Sequence, residues 1–254
     1  MHARDRDDRR AGPPAVDGAD DEHAAGHLID LPNFRDLGGV ALADGAETRP
    51  GRIFRSGRPD QVDAAGWRRL IGRGIGTIID LRNAYEIAPL PERPEQLRVV
   101  HRPIEDQSDD EFMATWSEHL GSPRYYLTVL RRWPHLVADA LSAIADADPG
   151  SAVLIHCSAG RDRTGMIAAL LLTAAGASLD AVQSDYERGM RGIRRDLPTG
   201  TPHDRQLSDE DFEAAVIEQR NDLAVFLAHA DVDGMLEAAG APGDTLDRAA
   251  ARLL

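Results

Sequence analysis

The chain of 254 residues contains a single cysteine, Cys157, in the stretch Ile155-His156-Cys157-Ser158-Ala159-Gly160-Arg161-Asp162-Arg163-Thr164-Gly165. A cysteine attacks as its thiolate, so it needs positive charge or aligned amides nearby. Arg163 lies five intervening residues downstream, and its planar guanidinium can hold two oxygens of one phosphate. Small residues at Ser158, Ala159 and Gly160 would let the backbone curl until successive N–H groups converge on an anion. Together these groups favour the thiolate and aim it at a bound phosphorus. The competing reading of a lone cysteine at a strand end is an inert, buried small hydrophobe.

Such a loop works only at a strand-to-helix junction, where unpaired helix amides and the positive dipole end receive an oxyanion. The flanking residues provide one. Ala152–Ile155 is an apolar run that predicts a buried strand, and Thr164–Ala175 predicts an apolar helix ending at Gly176. Further strands are predicted at 52–55, 77–81 and 99–102, and a helix over Trp67–Arg73. Helical pattern covers 111–145, with interruptions near Gly121-Ser122-Pro123 and at Pro134. It also covers most of the last third, with breaks near Leu197–Pro202 and Gly240–Gly243. Strands alternating with helices predict an α/β fold, a central mostly parallel sheet flanked by helices with a helical C-terminal part. Ligands bind such sheets at the carboxyl ends of strands, where Cys157 falls.

Composition narrows the function. There are 43 acidic and 29 basic side chains, a formal charge of −14. All the basic residues are arginine. That balance argues against nucleic-acid binding and against charge-driven docking on an anionic membrane. One cysteine excludes an intrachain disulfide framework and a cysteine-rich zinc module. Neither a secretory signal nor an apolar run near ~20 residues is visible, so the expectation is a cytoplasmic protein with no membrane span. Residues 1–27 offer almost nothing to bury and read as a disordered tail, leaving 28–254 as one domain.

The motif His156-Cys157-x-x-Gly160-x-Asp162-Arg163-Thr164-Gly165 resembles the signature of cysteine-based protein tyrosine phosphatases. It is closest in pattern to a bacterial and fungal branch with the loop His-Cys-x-x-Gly-Lys-Asp-Arg-Thr. Asn33-Phe34-Arg35-Asp36-Leu37-Gly38-Gly39, Phe54-Arg55-Ser56-Gly57 and Ile79-Asp80-Leu81-Arg82, with Glu86 following, match the same branch, as does Asp185-Tyr186 more weakly. Arg161 departs from it by replacing the usual lysine, which keeps the charge and changes its geometry.

The resemblance implies a phosphatase P-loop between a strand and a helix, and hydrolysis of phosphomonoesters through a phosphocysteine. It implies no cofactor and no metal, since amides and Arg163 stand in for a cation. Cys157 is then the nucleophile, Arg163 the phosphate clamp and Asp162 the proton donor to the leaving group. Asp106, in the acidic stretch after the third strand, is the alternative acid. Ser158, Ala159, Gly160, Arg161 and Thr164 would surround the phosphate. Thr164 either donates to the departing sulfur or is an ordinary first-turn residue, and His156 either tunes the loop or is structural. Asp80, Arg82 and Arg55 sit at strand ends, where they either contact substrate and orient Arg163 or form structural ion pairs. Trp133-Pro134-His135 reads as packing. Arg188, Arg191, Arg194 and Arg195 share a helical face and read as a solvated, paired surface in preference to a steering rim. Helices near 110–145 and 180–225 could cover the pocket.

The expected substrate is a phosphorylated protein, most of all phosphotyrosine, handled by a monomer. Alternatives are a phospholipid of the phosphoinositide class, dual specificity, or a phospho-ligand module without turnover. A sulfurtransferase or arsenate-reducing loop is a further possibility, although reduction lacks a second, resolving cysteine.

Overall fold

β1 (Arg35–Asp36), β2 (Ile53–Ser56), β3 (Ile75–Asp80), β4 (Arg98–His101) and β5 (Ala152–His156) form one sheet in the order β1-β2-β5-β3-β4. These assignments come from a computed structural model that describes residues 31–87, 93–196 and 207–254. The expected tail at 1–27 and the break near Leu197–Pro202 lie outside the described residues. β1 pairs antiparallel with β2, and every other pairing is parallel. The mostly parallel α/β sheet expected from the alternation of elements is therefore present, with one antiparallel edge.

β5 occupies the centre, in register with β2 (Phe54 beside Leu154) and β3 (Ile79 beside Ile155). All five of its residues are buried because both sheet faces are covered. Val153 and Ile155 enter the larger apolar cluster, whereas Ala152 and Leu154 enter the smaller one with Phe34, Phe54 and Trp67. That alternation is the two-residue period of a strand read against two cores.

Among the described residues the helices are α1 (Ala64–Gly72), α2 (Asp110–Trp116), α3 (Tyr126–Arg132), α4 (Pro134–Ala145), α5 (Asp162–Ala174), α6 (Leu179–Asp196), α7 (Asp209–His229), α8 (Val232–Ala239) and α9 (Thr245–Ala250). α1 begins ahead of Trp67 because the Asp63 carboxylate caps it, accepting from the Gly66 amide at 2.6 Å. Pro134 opens α4, where its missing N–H has no intrahelical partner to lose. Trp133, just before it, is buried with its ring edge-on to Phe112 at 4.8 Å, so it packs as expected. α8 ends at Gly240, whose φ of 66° is left-handed. No helix of the described residues is long and apolar enough to cross a membrane.

Candidate active site

The strand–loop–helix unit places Cys157 directly after central β5, and α5 starts at Asp162, earlier than the apolar pattern from Thr164 suggested. Asp162 and Arg163 therefore belong to the first turn of α5, where the unpaired amides lie. The turn into it depends on Gly160. Its φ is +71°, and a Cβ there would meet the Ser56 and Gly57 backbone at about 2.4–2.5 Å. Both the left-handed conformation and the close approach to the end of β2 demand glycine.

Behind the loop stands a buried polar scaffold. Asn33 Nδ2 donates to the carbonyls of Ala159 and Gly160, each at 3.3 Å, and to Gly189 of α6 at 3.0 Å. Arg55 Nη2 donates to the Gly160 carbonyl at 2.8 Å and to that of Arg161 at 3.3 Å, while Arg58 N donates to the Ser158 carbonyl at 3.0 Å. In a trans peptide the C=O and N–H point in opposite directions. Tying these carbonyls to the rear therefore turns the following amides forward. Arg55 and Arg35 converge on Asp185: Arg35 Nε donates to its carboxylate at 2.9 Å, and Arg55 Nη1 to its other oxygen. Burial pushes the Asp185 carboxyl up, but Arg35, Arg55 and Arg188 hold it well below the carboxylate range. Burial, with repulsion from Arg55, lowers Arg35 to about 10.

A second buried group supports the floor. Arg82, fully buried, binds Asp80 through Nε at 3.0 Å and Nη2 at 2.8 Å, and Asp60 through Nη1 at 3.0 Å. His156 Nε2 lies 3.7 Å from Asp80. Burial holds the imidazole below its ordinary value despite Asp80.

In front of the loop opens a cavity of about 900 Å³. Cys157, Ala159, Arg161, Asp162 and Arg163 line it, walled by residues 117–125, α6 and α7. The expected site residues thus divide. Those five face the cavity, whereas Asp80, Arg82, Arg55, Ser158, Gly160 and Thr164 are not among its lining residues. Arg55 reaches the loop from behind, the Ser158 hydroxyl donates to Glu86 at 2.6 Å, and the buried Thr164 hydroxyl has no hydrogen-bond partner among the described residues. Asp106 is not among the lining residues either: its carboxylate accepts from the Ser108 amide at 2.9 Å and hydroxyl at 2.6 Å. Asp162 accepts from Arg161 Nε at 3.0 Å and from the Tyr186 hydroxyl at 3.2 Å. The Arg161 guanidinium fits against Gly121, where a Cβ would stand 2.6 Å from its Nη2.

Two carboxylates on this face, Glu86 and Glu105, were given no role by the motif reading. Glu86 accepts from both terminal nitrogens of Arg163, from Nη2 at 2.8 Å. Burial pushes its carboxyl up, yet Arg163, with Ser158 and the Asn83 amide, brings it down to about 2. Glu105 has a fully buried side chain, with Oε1 3.5 Å from Arg163 Nε. The available signals were the position of Glu86 in the Asp-Leu-Arg motif and that of Glu105 after the proline that halts β4. The arginine face of α6 is largely paired: Arg191 with Glu187 and Glu213, Arg194 with Asp209, Arg195 with Asp196.

A thiol and a guanidinium share one cavity beside the first helical turn, at the carboxyl end of a mostly parallel α/β sheet, an arrangement able to receive an anion. The chain belongs to the tyrosine phosphatase family, whose sequence pattern it matches over residues 27–250. It is 32% identical over 191 residues to the triple specificity protein phosphatase PtpB of Mycobacterium tuberculosis, covering 61% of this chain and 66% of that protein. A protein of Cupriavidus necator named for the same family is also 32% identical, over 162 residues, covering 61% of this chain and 59% of its own. The chain thus spans about three-fifths of the length of these relatives. A solved structure of Pseudomonas aeruginosa TpbA aligns at 20% identity over 79% of this chain and 91% of that one, with a TM-score of 0.36. That overlap is too loose to add to the fold described above.

Proposed function

We propose that this chain hydrolyses phosphomonoesters through a phosphocysteine, with phosphotyrosine in proteins as its main substrate. What carries the reading is that Cys157 and Arg163 line one cavity at the first turn of α5. The Cys157 thiolate attacks phosphorus, the ester P–O bond breaks, and Asp162 gives its proton to the leaving oxygen. Water then attacks the phosphocysteine and yields its proton to the Asp162 carboxylate; the S–P bond breaks and inorganic phosphate leaves. Amides of the loop and Arg163 bear the charge on the equatorial oxygens, and no metal or cofactor enters the scheme.

Charge on the cavity wall bears on the ester class. Seven carboxyl groups line it against four guanidinium groups, an acidic excess that persists with two of the seven protonated. That balance suits one phosphate on a neutral or basic carrier and disfavours a polyphosphorylated inositol lipid. A broader ester range is the second reading, favoured by the triple specificity in the name of the mycobacterial relative.

Hydrolysis of an aryl phosphate in the presence of chelator tests the scheme. Activity should persist with chelator, vanish in Cys157→Ser and fall in Asp162→Asn with the loss of one limb of the pH–rate profile. Full activity in the serine variant overturns it. Competition between a phosphotyrosine peptide and a soluble inositol polyphosphate then separates the two ester classes.

A further inference from the structure

The carboxyl group of Glu105 poses a physical problem that the scheme above leaves unanswered. Its side chain has no exposed surface. Oε1 accepts from the Gln107 side-chain amide at 2.6 Å, but Oε2 is buried with no hydrogen-bond partner among the described residues. The residue lines the same cavity as Cys157 and Arg163. An ionised carboxylate there would leave lone pairs unsatisfied in a low-dielectric site. It would also stand against the Nε edge of Arg163. Glu86 already takes one N–H of each terminal nitrogen, so the edge left for a two-pronged grip on an arriving phosphate runs through Nε. Two carboxylates and a dianion around one guanidinium cannot all stay charged without strong repulsion.

We propose that Glu105 is a neutral carboxylic acid in the working enzyme and that its Oε2–H donates a hydrogen bond to the bound phosphate beside Arg163. The unpartnered oxygen is thus a donor whose acceptor arrives with the substrate, and ionisation of Glu105 expels the anion. Burial pushes this carboxyl above its ordinary range, against the pull of Arg163. The groups facing it are Arg163 and Asp162 from α5, Glu86 and Tyr85 from the turn after β3, Tyr125 from the segment before α3, and Gln107 beside it. Cys157 lines the same cavity. Neighbouring Asp106, turned into its Ser108 turn, has no part in this.

The proposal rests on the anion-site reading of the loop, so its test needs no turnover. Sulfate, a dianion across the range, is titrated calorimetrically into Cys157→Ser and into the same variant carrying Glu105→Gln, from pH 5.5 to 8.5. The serine removes thiolate ionisation, and other titrating groups cancel in the ratio of the two affinities. Glutamine keeps a donor that cannot ionise. The two affinities should agree within about threefold at the acidic end. Towards pH 8.5 the glutamate form should weaken by up to about tenfold per unit relative to the glutamine form. Glu105→Ala should bind sulfate about tenfold more weakly even at pH 5.5. A constant ratio across pH, or loss of binding in the glutamine form alone, overturns the Glu105 assignment and leaves the loop intact. Failure of both forms to bind sulfate overturns the assignment together with the anion site itself.

Discussion

The rear and front of the Cys157 loop carry similar side chains in different settings. At the rear, Arg35, Arg55 and Asp185 are almost wholly buried, mutually paired and tied to loop carbonyls, and Asn33 completes the set. At the front, Arg163 is gripped by Glu86 but also faces Glu105, one oxygen of which lacks a partner among the described residues. The rear cluster leaves Arg55 Nε without a partner among the described residues, but none of its members lines the cavity, so it holds shape. In the proposed scheme the front cluster gains a hydrogen bond when an anion arrives, so its unmet demand is available for binding.

The largest expected effect lies at the front. Cys157→Ser should lower turnover on an aryl phosphate by at least about 10³-fold, with no loss of thermal stability in a melting scan. Next is the rear: Asp185→Asn leaves two buried guanidinium groups facing each other. Denaturant unfolding should register a loss of about 3–5 kcal/mol, and activity should fall with the fold. If that variant stayed stable yet lost substrate binding, the division into two roles would fail.

Glu86→Gln should sharpen the contrast, since it weakens the grip on Arg163 and leaves the rear cluster untouched. KM should rise about tenfold, with a stability loss of about 1–3 kcal/mol read by chemical unfolding. The Glu86 carboxyl is lowered from an ordinary 4.5 to about 2. Its contribution to stability is therefore present above pH 4.5 and disappears as pH falls towards 2. Glu105 has the opposite sign. A raised carboxyl stabilises the fold below its ordinary value and loses that contribution as pH rises through the shifted one. The stability of Glu105→Gln relative to wild type should consequently increase between pH 5 and 8 in parallel denaturation curves. The smallest effect belongs to the exposed arginines of α6. Arg191→Ala should leave KM and its salt dependence unchanged, because the guanidinium already bridges Glu187 and Glu213.

The parts of the site that could be read in advance are those whose partners are close along the chain. Cys157, Gly160, Asp162 and Arg163 occupy one loop, and the apolar run before it marks a strand buried on both faces. Helix starts were less legible: Asp63 and the first turn at Asp162 are polar, so apolar periodicity misses both ends. The acid stretch from Glu105 to Asp110 drew attention to Asp106, because adjacent carboxylates look alike in sequence. Packing separates them, sending Glu105 inward and folding Asp106 back on Ser108. Arg55 and Arg82 likewise carry no mark telling a substrate contact from a buried ion pair.

Local order along the chain therefore determined the cysteine and arginine of the proposed site, the glycine turn and the alternation that makes a mostly parallel sheet, since neighbouring residues set backbone geometry directly. Only the tertiary structure decided which charges are neutralised and which still face open space. Arg163 meets Glu86 across 77 positions and Arg55 meets Asp185 across 130. Coulomb energy and desolvation depend on distance and burial, and both are fixed only when distant segments pack together.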